Sequence, residues 1–187
     1  MQQYIAFLRA INVGGRTVKM DFLRKHFEES GFSSVETMIA SGNVIFETDS
    51  RDAEALERRI ERDLQQLLGY AVATFIRTPS ELANILANNP FTFDAPDSEE
   101  SSLYIAFLPA APGAEAMEGI LASRTMGTEL LVRDREIFCL FRKKMTESGF
   151  SGARLENAIG MPMTMRNINT VRKLAVRYAA PPTGETQ

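Results

Sequence analysis

Tyr-Ile-Ala-Phe-Leu occurs twice, at residues 4–8 and 104–108, and each copy opens a stretch that runs strand, helix, hairpin. Apolar residues occupy both alternating faces of the pentapeptide, the mark of a strand covered on both sides rather than of an exposed edge. A chain that restarts on the same inner strand is expected to repeat its architecture.

After the first copy, Met20, Leu23 and Phe27 recur at helical spacing, and Gly31 followed by Phe32 fits a glycine-ended helix whose next apolar residue packs back on it. VETMIASGNVIFET (35–48) then gives two alternating runs joined by Ser41-Gly42-Asn43, residues that tolerate the left-handed backbone of a hairpin. Leu56, Ile60, Leu64 and Leu67 form one face of a second helix, with Asp49 or Ser50 as its expected cap and Gly69 as its stop. The strand VATFI follows, and Thr78-Pro79-Ser80-Glu81 carries a complete helix start signal, closed by Pro90. Strand, helix, hairpin, helix, strand is the split βαβ, or ferredoxin-like, order.

Proline, serine and four acids in DAPDSEESS (94–102) mark a boundary. Beyond the second YIAFL come a helical stretch to about 123 and the alternating pair TELLV and EIFCLF around Asp134-Arg135. Helices near 153–159 and 170–178 complete the series, the latter striped with Val171, Leu174 and Tyr178. The sequence therefore predicts an α+β chain of two similar ferredoxin-like halves packed as one compact unit. Its expected parts are 1–93, an acidic linker at 94–101, a second half with C-terminal helices at 102–178, and a mobile tail at 179–187.

With 187 residues, 44% of them apolar, the chain can bury a substantial core. It has no long uncharged apolar run and no basic-then-apolar start, so a cytoplasmic protein without a membrane partner is expected. One cysteine, Cys139, and one histidine, His26, leave no internal disulfide and no usual metal-ligand spacing; no metal and no cofactor are expected. Cys139 lies in phase with Ile137 and Phe141 and reads as a buried thiol. His26 reads as a partly buried structural histidine. The net charge of −3 is unevenly spread: residues 137–178 hold eight basic side chains against Glu147 and Glu156, while 1–136 hold 13 basic against 21 acidic. Such asymmetry marks either an anion-binding face or two halves that attract each other.

Three stretches, RAINVGGRTVKM (9–20), SGNVIF (41–46) and TMRNINTVRKL (164–174), together resemble bacterial proteins catalogued as domain of unknown function 1697. Members of that family carry an Arg-Gly-Ile-Asn-Val-Gly-Gly opening, a Ser-Gly-Asn-Val hairpin and a closing Thr-x-Arg-Asn-Trp-Asn-Thr. Here Ala10 replaces the usual glycine and Ile168 the usual tryptophan. The resemblance implies a two-part α+β fold and no assigned activity.

Arg9, Asn12, Gly14, Gly15, Arg16 and Lys19 have the composition of a small-anion site, since glycines let backbone N–H groups approach an oxyanion that guanidinium groups grip. Neither a nucleoside triphosphate cradle nor a dinucleotide fingerprint is present. The plainer reading makes the glycines a turn that Asn12 bonds. In the closing motif, Asn169 fits the cap of a helix beginning near Thr170, with Arg166 and Asn167 ahead of outward-pointing N–H groups, a setting for phosphate or carboxylate. The alternative is that Arg166 pairs with an acid of this chain while the asparagines serve loop backbone. Ser41 and Asn43 are simplest as turn residues and are secondary site candidates.

Anion binding, with a phosphorylated metabolite or nucleic acid as ligand, accounts for the two Arg/Asn loops. Tyr4, Phe7, Phe46, Tyr104 and Phe107 are the rings a nucleic-acid platform would use, or else they are core. The rivals are an enzyme acting on a small anionic substrate through the same residues, and an interaction module in which the motifs only lock the fold. No nucleophile or triad is visible.

Overall fold

A computed structural model describes residues 1–9, 11–12, 17–38, 42–91 and 101–178. Within these lie six α-helices, a short 3-10 turn and two four-stranded sheets whose paired strands run antiparallel. The chain divides into two compact units, Met1–Leu82 with Tyr178, and Ala83–Arg177. Most of the expected linker (94–100) and the whole expected tail (179–187) fall outside the described residues.

In the first unit β1 (Gln2–Leu8), α1 (Met20–Glu29), β2 (Ser33–Met38), β3 (Asn43–Thr48), α2 (Ala53–Leu68) and β4 (Thr74–Arg77) follow in turn, with strand order β2-β3-β1-β4. Tyr4, Ala6 and Leu8 of β1 join Leu23 and Phe27 of α1 and Leu56, Ile60 and Leu64 of α2 in one core. The intervening Ile5 and Phe7 are buried as well, as the doubly apolar pentapeptide requires. α1 ends as its sequence dictates: Gly31 sits at φ +86°, its N–H reaches Glu28 O at 3.0 Å, and Phe32 N–H reaches Phe27 O at 3.2 Å. Those two bonds satisfy carbonyls the helix end would leave open, and the Phe27 and Phe32 rings pack 5.6 Å apart beside them.

α2 is capped by Asp52, whose Oδ1 accepts from Ala55 N–H at 2.9 Å. Asp49 and Ser50 lie too early, because the helical backbone begins only at Ala53. Gly69 ends the helix at φ +76°, as expected. Glu57 and Glu61, one turn apart on α2, accept the N–H groups of Ile76 (2.7 Å) and Thr74 (2.9 Å). β4 closes one side of the sheet, so these carboxylates occupy backbone donors that would otherwise offer pairing to another strand. α3 (Pro79–Ala87) starts with a full capping box: Thr78 Oγ1 accepts from Glu81 N–H at 3.2 Å, and Glu81 Oε2 accepts from Thr78 N–H at 2.7 Å.

The second unit runs β5 (Ser102–Phe107), α4 (Ala114–Ala122), β6 (Thr128–Arg133), β7 (Glu136–Phe141), α5 (Gly152–Ile159), β8 (Thr164–Asn167) and α6 (Ile168–Tyr178, to Arg177 in this unit), with order β6-β7-β5-β8. Asp134, at φ +51°, makes the two-residue turn of the expected hairpin. Leu108, Ile120, Ile137, Cys139, Phe141 and Leu155 belong to its core. The two sheets agree in register as well as order: Ile5 faces Ile45 and Arg77, and Ile105 faces Phe138 and Arg166.

Candidate functional site

Two of the three motif stretches meet at one end of the first sheet. Leu8 N–H bonds Gly42 O at 2.8 Å, and Arg9 N–H bonds Ala73 O at 2.8 Å. Gly42 is at φ +77°, and a Cβ there would lie 2.6 Å from Ile11 Cγ2 and 3.2 Å from Leu8 Cβ. The hairpin glycine is thus required both by its backbone and by the close approach of the β1–α1 connection. Asn43 is fully buried in β3, and its Nδ2 donates to Met38 O at 2.8 Å across the hairpin. Ser41 lies outside the described residues, as do Gly14, Gly15 and Arg16.

Asn12 closes the β1–α1 connection on itself. Its Oδ1 accepts from Val18 N–H at 2.5 Å and its Nδ2 donates to Val18 O at 3.2 Å, so one side chain holds both backbone groups of a residue six positions on. Ile11 and Val18 are buried beneath this clamp. Lys19 follows at the N-cap of α1, exposed, giving no side-chain cap, and making no ion pair with a described residue. The first N–H groups of α1 have no partner one turn earlier within the helix, and they carry its partial positive charge. Arg9 is half-buried at the other foot of the connection.

The closing motif is arranged differently from the expected cap. α6 begins at Ile168, and Asn167 is the residue that serves its start, its Oδ1 accepting from Asn169 N–H at 2.9 Å. Asn169 lies inside the helix and accepts from Arg172 Nη1 at 3.1 Å. Thr170 is half-buried in the same first turn. Arg166 does not stand ahead of the helix on the surface. It is buried within β8, and its Nη1 donates to Thr164 Oγ1 at 2.7 Å and Met165 O at 2.9 Å. Burial pulls its pKa down to about 10, which still leaves it charged at neutral pH.

Arg77 is the residue that sequence reasoning passed over. It is 1% exposed and occupies in β4 the register position that Arg166 occupies in β8, with Nη1 bonded to the preceding carbonyl, Ile76 O, at 2.8 Å. The expected strand VATFI stops one residue short of the observed Thr74–Arg77; an arginine in each closing strand, TFIR and TMRN, is the available signal.

Of the five rings considered for stacking on bases, Tyr4, Phe7, Phe46 and Phe107 are buried and Tyr104 is half-buried. Four have no face to offer, which removes the aromatic platform. His26 is half-buried, with Nε2 enclosed and unbonded among the described residues. Burial raises the pKa of the Cys139 thiol far above its ordinary value, so it is no nucleophile. Among the described residues no cluster of three His, Cys, Asp or Glu side chains is placed to hold a metal, and no helix is long and apolar enough to cross a membrane.

Comparison with known proteins adds the family. No curated protein matches the chain. Among solved structures, the conserved bacterial protein SP0830 from Streptococcus pneumoniae is similar at TM-score 0.76 over 96% of this chain and 99% of that one, with 20% identity, a likeness of fold. A family model described as "Protein of unknown function (DUF1697)" matches residues 1–138, and so takes in both motif stretches that meet at the end of the first sheet. The chain belongs to that family.

Proposed function

We propose that the protein binds a small phosphorylated metabolite at the β1–α1 connection of its first unit, through Arg9, Lys19, the Gly14-Gly15-Arg16 segment and the N-terminus of α1. The observation that carries this reading is the Asn12 clamp. By holding both backbone groups of Val18, it ties the two ends of a glycine- and arginine-bearing loop together, next to a helix start whose N-cap side chain makes no cap. A loop fixed at its base loses less entropy on closing around a ligand than a free one does. Backbone donors at a helix start favour an anion, and flanking cations add charge-assisted bonds.

A phosphorylated small molecule suits this reading better than nucleic acid. The net charge is negative, and the buried rings leave no stacking surface at the positions considered. Within the closing motif, Asn167 and Thr170 at the start of α6 are the residues open to a similar role, whereas Arg166 has donors engaged inside β8. The shared strand order and register support the further proposal that residues 1–93 and 102–178 are ferredoxin-like repeats of one ancestral half, joined by an acidic linker at 94–101 and followed by a tail at 179–187. A cytoplasmic location belongs to the same reading.

Calorimetric titration of inorganic phosphate and of a sugar phosphate into wild type and Arg9→Ala tests it. Wild type is expected to bind, and Arg9→Ala to bind about tenfold or more weakly, the loss of one charge-assisted bond. Absence of binding, or equal affinity in both proteins, sinks the proposal.

A further inference from the structure

The second unit contains a groove of about 330 Å³ beside the crossing of α4 and α5. Its walls come from the end of α4 and the turn after it, Ser123, Arg124 and Thr125, and from the start of α5, Ser151, Arg154 and Asn157. Two arginines and no carboxylate line it, and Arg154 comes from the basic stretch 137–178.

Its donors differ in how they are held. One Arg124 amino group, Nη2, is fixed on Leu130 O at 2.9 Å, which orders the guanidinium and leaves other N–H groups for a ligand. The Arg154 guanidinium and the Asn157 amide, one helical turn apart, make no bond with any described residue. Thr125 Oγ1 is held by Ser148 O at 2.8 Å, and Ser151 Oγ accepts from Arg154 N–H at 3.3 Å. The groove is bounded by backbone in direct contact: a Cβ on Gly119 of α4 would collide with the carbonyl oxygen of Ala158 in α5. A concavity with two cationic forks, a free amide and the Ser151 hydroxyl, and with no negative charge in its lining, selects a compact oxyanion.

We infer that this groove binds a phosphate monoester, with Arg154 and Asn157 contacting the phosphoryl oxygens and Arg124 supplying a second, pre-oriented charge. The site shares no residue with the β1–α1 connection and stands or falls independently of it.

Amide chemical shifts of the full chain, followed during titration with inorganic phosphate and separately with a nucleoside monophosphate, test the inference. Saturable shifts at Gly152, Ala153 and the Asn157 side chain are expected with both ligands, because the phosphoryl group is the determinant; shifts with inorganic phosphate alone would mean that the groove admits only the free ion and would overturn the monoester assignment. Arg154→Glu should raise the midpoint at least about tenfold. Because Arg154 is exposed in the first turn of α5, an acid there suits the helix, and the variant's spectrum should remain that of a folded chain. Arg9→Ala should leave these midpoints unchanged. No saturable shift at these groups with either ligand, or an unaltered midpoint in folded Arg154→Glu, overturns the assignment.

Discussion

Asn12 shows how one side chain can serve both readings of a motif. Its two bonds to Val18 are the turn-holding role that the sequence already offered, and the loop they close is the one proposed to hold an anion. Asn12→Ala leaves a backbone donor and acceptor of buried Val18 without those partners, and should cost about 1–3 kcal/mol in urea unfolding. Gly42 makes a sharper case. Gly42→Ala meets both a left-handed φ and Ile11, whereas Gly31→Ala at φ +86° has nothing within 4 Å of the added carbon. Gly31→Ala should lower stability by about 1 kcal/mol through backbone strain alone, and Gly42→Ala by clearly more; equal losses would show that the Ile11 contact relaxes freely. At this scale the turn glycines and the buried Cys139 were legible, because φ preference and strand phase are local. Glu57 was not: an acid beside an apolar helical stripe reads as solvated, and only the position of β4 reveals that it accepts Ile76 N–H. Glu57→Leu should therefore destabilise by about 1–3 kcal/mol, despite the gain in apolar character, by stranding that N–H.

Among the elements, helix starts were where sequence and structure parted. Asp49, Ser50 and Asp52 all have capping chemistry, and the choice falls to whichever residue sits just before the first helical backbone, a matter of where β3 releases the chain. Asp52→Ala should cost about 1 kcal/mol and Asp49→Ala nearly nothing, which paired denaturation curves would resolve. Asn167 rather than Asn169 begins α6 for a related reason. β8 runs directly into the helix, so the cap falls on the last strand residue. By contrast α3 began where predicted, because Thr78, Pro79 and Glu81 together admit one register only. The α4 and α5 pairing depends on Gly119 at their contact. Gly119→Ala should destabilise the second unit by about 2 kcal/mol or more, in spite of the higher helix propensity of alanine.

Across the whole molecule, the two sheets agree at register positions beyond the YIAFL strands. Ile5 and Ile105 each face an arginine of a closing strand, and in both pairs the guanidinium returns to the carbonyl just before it. In the first unit the strand order was readable because the sequence itself runs strand, helix, hairpin, helix, strand; in the second the closing strand β8 was not, because Thr164–Asn167 is four residues long and runs directly into α6. The arginines were not, since a charged residue at a strand end looks solvent-facing until both sheet faces prove to be buried. The meeting of Arg124 and Arg154 in one groove was likewise not legible, because they come from separate elements. The central claim is that the β1–α1 connection is an anion site built on the Asn12 clamp. Its most direct measurement is the amide chemical-shift map of the full chain during titration with a sugar phosphate. The account predicts saturable shifts at Arg9, Asn12, Lys19 and the first turn of α1, Met20–Phe22, that disappear in Arg9→Ala; a map in which those amides stay fixed while the ligand binds elsewhere, or does not bind, contradicts it.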